Sequence, residues 1–150
     1  MKKYLIFLVG LFLAIFSFAQ DADPVTWSFT AKKINATTYE VRLSAKLANG
    51  WHTYSQSTPA GGPVATDISF TKNPLVTLSG AVKEVGKLEQ HFEPLFGVDV
   101  KQYSNQVGFV QTITVKRGVK TAVKGSVEYM VCNDHECLPP VNKSFTINLK

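Results

Sequence analysis

The residues of this 150-residue chain best suited to chemistry are its only two cysteines, Cys132 and Cys137, with four residues between them. They lie in Glu128-Tyr129-Met130-Val131-Cys132-Asn133-Asp134-His135-Glu136-Cys137-Leu138-Pro139-Pro140, where Asn133 to Glu136 are polar turn formers between two apolar runs. A four-residue hairpin loop over those positions opposes the cysteines across an antiparallel pair, with Cα atoms roughly 4.5 to 5.5 Å apart. A disulfide accepts about 4.4 to 6.8 Å, so the pair can close and open with little backbone movement.

Three uses of such a pair compete. As a structural staple it is weak, because closing a loop of about six residues is worth only ~2 kcal/mol in chain entropy. Exchange with another protein is favoured by Pro139 and Pro140, which lack N–H donors and confine the second arm to a sheet edge or a bulge. Zinc needs more ligands: His135 lies inside the tight loop, and His52 and His91 are distant in sequence, so no common zinc signature forms. The thiols have no helix N-terminus to favour thiolate. Asp134 and Glu136 oppose ionisation, and a protonated His135 favours it. The expectation is an unexceptional thiol that depends on its partner for activation.

The elements that must position this hairpin read as strands throughout. Apolar and polar residues alternate at period two, and no convincing 3.6-residue period occurs. Tyr39 to Leu47 is the cleanest case, with Tyr39, Val41, Leu43, Ala45 and Leu47 on one face. Trp27 to Phe29, Trp51 to Ser55, Asp67 to Phe70, Ala81 to Leu88, Gly108 to Val115, Ala122 to Cys132 and Phe145 to Leu149 are further candidates. Turn signals separate them at Asn49-Gly50, Pro59 to Pro63, Asn73-Pro74, Ser79-Gly80 and Arg117-Gly118. Seven to nine short strands with this punctuation predict an all-β fold, an immunoglobulin-like two-sheet β-sandwich, with a closed barrel as the alternative. Gln90 to Gln106 breaks the pattern and reads as a long loop, its apolar side chains either plugging one end of the sandwich or lying over a site.

Residues 1 to 19 read as a secretory signal peptide. Lys2 and Lys3 precede an apolar run of 15 residues from Tyr4 to Phe18, shorter than the ~20 a spanning helix needs. With no cysteine near the cleavage site, a lipid anchor attached there is excluded, and the expected product is one soluble domain over residues 20 to 150. Export places the cysteines where disulfides persist. The formal charge of +5 includes Lys2 and Lys3, leaving 14 basic and 11 acidic side chains after cleavage, too mild and too scattered to argue for nucleic acid.

Three segments resemble the N-terminal periplasmic domain of the bacterial thiol-disulfide interchange proteins known as DsbD. Gly50-Trp51-His52-Thr53-Tyr54 followed by Pro59 to Pro63 is similar to an early family motif, and His91 to Tyr103 falls where the family has a cap loop. Val131 to Pro140, with its trailing diproline, is similar to the redox hairpin and is the most specific match. The resemblance implies an immunoglobulin-like sandwich that takes reducing equivalents from a membrane-embedded relay and hands them to thioredoxin-fold proteins in the periplasm, cytochrome c biogenesis among the processes served. It implies that Cys137 forms the mixed disulfide and Cys132 resolves it. By position, Glu93, Leu95 and Phe96 match the cap's acidic and aromatic residues. It calls for no cofactor and no metal, and a monomer is expected. The chain has four residues between its cysteines where proteobacterial members have five, and Glu93-Pro94-Leu95-Phe96 where those carry two adjacent acids and Phe-Tyr. The relay and the thioredoxin-like C-terminal domain lie outside these residues, so the expected form is a stand-alone domain with a separate donor. The competing function is a non-catalytic binding module whose disulfide stiffens the hairpin.

Overall fold

A computed structural model describes residues 23–150, and the signal-peptide expectation falls outside the described residues. Among them there is no helix, and eleven strands account for the regular structure: β1 (Val25–Lys33), β2 (Thr38–Leu47), β3 (His52–Tyr54), β4 (Asp67–Phe70), β5 (Val76–Gly86), β6 (Glu89–Glu93), β7 (Val98–Ser104), β8 (Gln106–Val115), β9 (Thr121–Tyr129), β10 (Val131–Cys132) and β11 (Val141–Leu149). All pairings are antiparallel.

The front sheet has the order β1-β2-β8-β5 and the back sheet the order β11-β9-β4. The alternation in β2 places Tyr39, Val41, Leu43, Ala45 and Leu47 in the core, as the sequence predicts. They meet Phe109 and Ile113 of β8, Val123, Val127 and Tyr129 of β9, and Phe145, Ile147 and Leu149 of β11 in one apolar cluster. Each large side chain fully buried there is worth about 1.5 to 3 kcal/mol of transfer free energy. Trp27 stands 5.2 Å from Tyr129 and Phe29 5.2 Å from Phe145, centroid to centroid, which ties β1 to the opposite layer. This is the predicted sandwich, immunoglobulin-like and all-β.

A third sheet, order β10-β3-β7-β6, stands beside the two layers. It arises because β9 does not run on to Cys132. The chain leaves the back sheet at Met130, whose carbonyl accepts the Thr53 hydroxyl at 3.0 Å, and pairs with β3 instead. Val131 and Tyr103 on one face of this side sheet belong to the main core, while Cys132 on the other face joins Tyr54 and Val100 in a second, smaller cluster.

Besides the break of the Ala122 to Cys132 strand at Met130, two expectations change. Gln90 to Gln106 is not a loop but the β6–β7 hairpin leading into β8. Its turn is made by Pro94 to Gly97, with Gly97 at φ 68° and its N–H donating to the Glu93 carbonyl at 2.8 Å. Ser79-Gly80 is not a turn between strands but part of a bulge in β5, where the register to β8 shifts between Ser79 and Lys83. The buried Gln111 fills that bulge, its Nε2 donating to the carbonyls of Ser79 at 3.0 Å and Gly80 at 3.2 Å. That satisfies the backbone oxygens the irregular ladder leaves over.

Candidate functional site

Asn133 shapes the hairpin. Its side-chain oxygen accepts the N–H groups of His135 and Glu136, both at 2.8 Å, and its own N–H donates to the Glu136 carbonyl at 2.9 Å. This is an Asx turn. On the far side Leu138 N–H donates to the Val131 carbonyl at 2.9 Å. Cys132 and Cys137 therefore form the non-hydrogen-bonded pair between two backbone bonds, the narrow position of an antiparallel ladder. They are joined by a disulfide with Cα atoms 4.0 Å apart, closer than the roughly 4.5 to 5.5 Å expected of an antiparallel pair.

The hairpin lies at a sheet edge, as the prolines require. β10 pairs only with β3, and the Cys137 arm makes a single bridge before Pro139 and Pro140. Trp51 and Leu138 pack together onto the main core and support that arm. The two cysteines are placed unequally. Cys132 is 2% exposed, within the small cluster with Tyr54 and Val100, while Cys137 is part-exposed at its margin beside Met130.

Pairing from β10 through β3 and β7 to β6 gives this face its other members. His52 is the partner of Cys132 and of Ser104, Tyr54 and Glu89 both pair with Gln102, His91 pairs with Val100, and Glu93 with Val98. His52 Nε2 and Tyr54 Oη lie 3.1 Å apart, and His91 Nε2 is 3.6 Å from a Glu93 carboxylate oxygen. Burial, then the neighbouring His91, hold His52 below its usual 6.5, against the opposing pull of Asp134, Glu93 and Glu89. Burial, with Glu93 adding, pushes the Tyr54 hydroxyl up to about 12, so it stays a neutral phenol. Sequence reading left His52 remote from the cysteines and gave Tyr54 no role of its own. The alternation of Trp51 to Tyr54 was visible, but nothing in it named β10 as a neighbour.

The cap residues are spread out. Leu95 is 78% exposed at the tip of the β6–β7 turn, and Phe96 is half-buried near Gly62. The Glu93 carboxylate accepts the Leu95 N–H at 3.2 Å and so braces the turn. The β6–β7 hairpin contributes Val98 and Val100 to the cluster that holds Cys132. Among the described residues no group of three or more His, Cys, Asp or Glu is arranged to hold a metal ion. Among the described residues no helix is long and apolar enough to cross a membrane.

An immunoglobulin-like sandwich with one disulfide across an edge hairpin, one cysteine enclosed and the other part-exposed, defines a class of β-sheet thiol-disulfide domains. The chain belongs to the family described as thiol:disulfide interchange protein DsbD, N-terminal, which it matches over residues 20–149. Among solved structures it is similar to the reduced N-terminal domain of Neisseria meningitidis DsbD, with 17% identity, TM-score 0.54, and coverage of 83% of this chain and 85% of that one. It is also similar to the N-terminal periplasmic domain of ScsB from Proteus mirabilis, with 20% identity, TM-score 0.55, and coverage of 87% of this chain and 47% of that one. A third similar structure describes the complex between the DsbD and PilB N-terminal domains of Neisseria meningitidis, with 14% identity, TM-score 0.55, and 87% of each chain covered. No curated protein matches the chain.

Proposed function

We propose that this domain passes reducing equivalents to thioredoxin-fold proteins in the periplasm by exchange at the Cys132–Cys137 pair, receiving them from a membrane-embedded relay. The observation that carries the reading is the inequality of the two cysteines, Cys132 at 2% exposure and Cys137 part-exposed at the sheet edge. In the reduced domain the Cys137 thiolate attacks a partner disulfide, forming a mixed disulfide and releasing one partner thiolate. Cys132, as thiolate, then attacks the Cys137 sulfur, and the second partner thiolate leaves. Two electrons and two protons pass to the partner, and the Cys132–Cys137 bond reforms.

The complex of a Neisseria meningitidis DsbD N-terminal domain with another protein's domain supports a partner-docking role for this fold. The domain acts as a soluble monomer after removal of residues 1 to 19. Between encounters the β6–β7 turn shields the pair, Glu93 bracing it and Phe96 covering more than the outward Leu95. The test is titration of the purified domain in glutathione buffers, with a thioredoxin-fold protein added as acceptor. Reversible opening and exchange are expected; a bridge that stays closed at every accessible potential and never exchanges sinks the reading.

A further inference from the structure

Resolution requires a thiolate at the most enclosed sulfur-bearing residue of the site. Cys132 is 2% exposed among Tyr54, Val100, Val98 and Met130, and apolar enclosure disfavours ionisation of a thiol. Water has little access there to take the proton. Directly opposite Cys132 stands His52, and residues so opposed have Cβ atoms about 4.5 to 5.5 Å apart on one face. The His52 ring is held by the Tyr54 hydroxyl at 3.1 Å, and Tyr54 is in the same buried cluster as Cys132.

We propose that the His52–Tyr54 pair is the proton acceptor for Cys132 in the resolving step, a role that rests on the division of labour between the cysteines given above. With the ring proton of His52 on Nδ1, the Tyr54 O–H donates to Nε2, and Tyr54 shares its buried cluster with Cys132. As Cys132 attacks the Cys137 sulfur, its proton passes to Tyr54 Oη and the Tyr54 proton to Nε2. The mixed disulfide breaks, the partner leaves as thiolate, and the imidazolium then returns the proton to it through solvent. The sulfur bond made equals the one broken, and no outside oxidant enters.

The acid–base properties of the pair suit this. His52 is a free base at neutral pH because its pKa lies below 6.5, and Tyr54, at about 12, can relay a proton without storing charge. The charged and titratable groups around His52 are Tyr54 on its own strand, His91, Glu89 and Glu93 from β6, and Asp134 from the hairpin loop. The three carboxylates stabilise the imidazolium once formed, and His91 opposes it. Ser104, its neighbour on β7, does not titrate.

The reduced protein is mixed with 5,5′-dithiobis(2-nitrobenzoate) and the released thionitrobenzoate is followed by absorbance. The first phase reports attack by Cys137 and the second reports resolution by Cys132. In the wild type the second phase should rise with pH through a value below 6.5 and be flat at neutral pH. His52→Gln and Tyr54→Phe should each slow the second phase at least about tenfold at pH 7 and leave the first phase unchanged. In both, the second phase should instead rise only at alkaline pH, as an enclosed thiol ionises. An unchanged second phase in either folded variant, or a wild-type second phase that follows the thiol alone, overturns the proposal. The wild-type profile decides the matter if a variant fails to fold. Cys132→Ser should release one equivalent and stop; failure of that control overturns the cysteine assignment itself and is thereby told apart from failure of the His52 role.

Discussion

Cys132 and His52 face each other across the β10–β3 pair, on the side of the side sheet turned away from the main core. They are 80 residues apart in sequence, and only the departure of the chain from the back sheet at Met130 brings them together. The chemistry of the site therefore depends on how firmly the small side sheet is held to the sandwich.

Glu84 on β5 is one fastening. Its carboxylate accepts the Ser55 hydroxyl at 2.7 Å, the Gln56 N–H at 2.6 Å and the Tyr103 hydroxyl at 2.8 Å, joining the front sheet to β7 and to the segment after β3. Glu84→Ala leaves three donors without their acceptor and should cost about 2 to 4 kcal/mol, with Glu84→Gln nearer about 1 kcal/mol. Urea unfolding measures this as a lowered midpoint at unchanged slope. Equal midpoints for wild type and Glu84→Ala would contradict it.

Alkaline pH should unfold the domain through its buried phenols. Burial first, then a carboxylate, raises Tyr103 beside Glu84 and Tyr129 beside Asp23, while burial and Glu93 bring Tyr54 to about 12. A raised folded-state pKa gives stability that is fully present below the unfolded value near 10 and is lost as pH rises through the folded value. The melting temperature should fall above about pH 10, and phenolate absorbance of these three residues should appear together with unfolding. Their independent titration near pH 10 in a folded protein would refute this.

On the acid side the sign reverses. His52 is held below 6.5 by burial and His91, so the unfolded chain binds its proton first and stability falls as pH drops below about 6.5. His52→Gln should flatten that part of the stability profile. Identical acid limbs in thermal melts of the two proteins would count against the burial of His52.

Shielding by the β6–β7 turn is tested by alkylation of the reduced protein. Phe96 is half-buried and Leu95 is 78% exposed, so Phe96→Gly should speed iodoacetamide labelling of Cys137 several-fold and Leu95→Gly should change it little. Labelling rates unaffected by both substitutions would leave the turn with no protective role.

The sequence showed what lies close along the chain. The turn chemistry of Asn133 to Glu136 between two apolar runs was enough to oppose Cys132 and Cys137, and the alternation of Tyr39 to Leu47 was enough to assign a half-buried strand. The β6–β7 hairpin was hidden because its polarity is inverted. Glu89, His91 and Glu93 share the face that carries Cys132, while Phe92 is 58% exposed. A strand whose charged face serves a site does not carry the pattern of one that packs on a core. The role of His52 was hidden for a different reason: strand neighbours are set by long-range pairing, which residue types at β3 and β10 do not encode.

The most direct test of the central claim compares the two cysteine variants in capture of a thioredoxin-fold protein. Reduced Cys132→Ser, mixed with the oxidised partner, should accumulate a stable mixed disulfide through Cys137, seen on non-reducing gels and mapped by mass spectrometry. Reduced Cys137→Ser, with its remaining thiol at the 2%-exposed position, should capture little. Equal capture by both variants, or capture only through Cys132, would contradict the account.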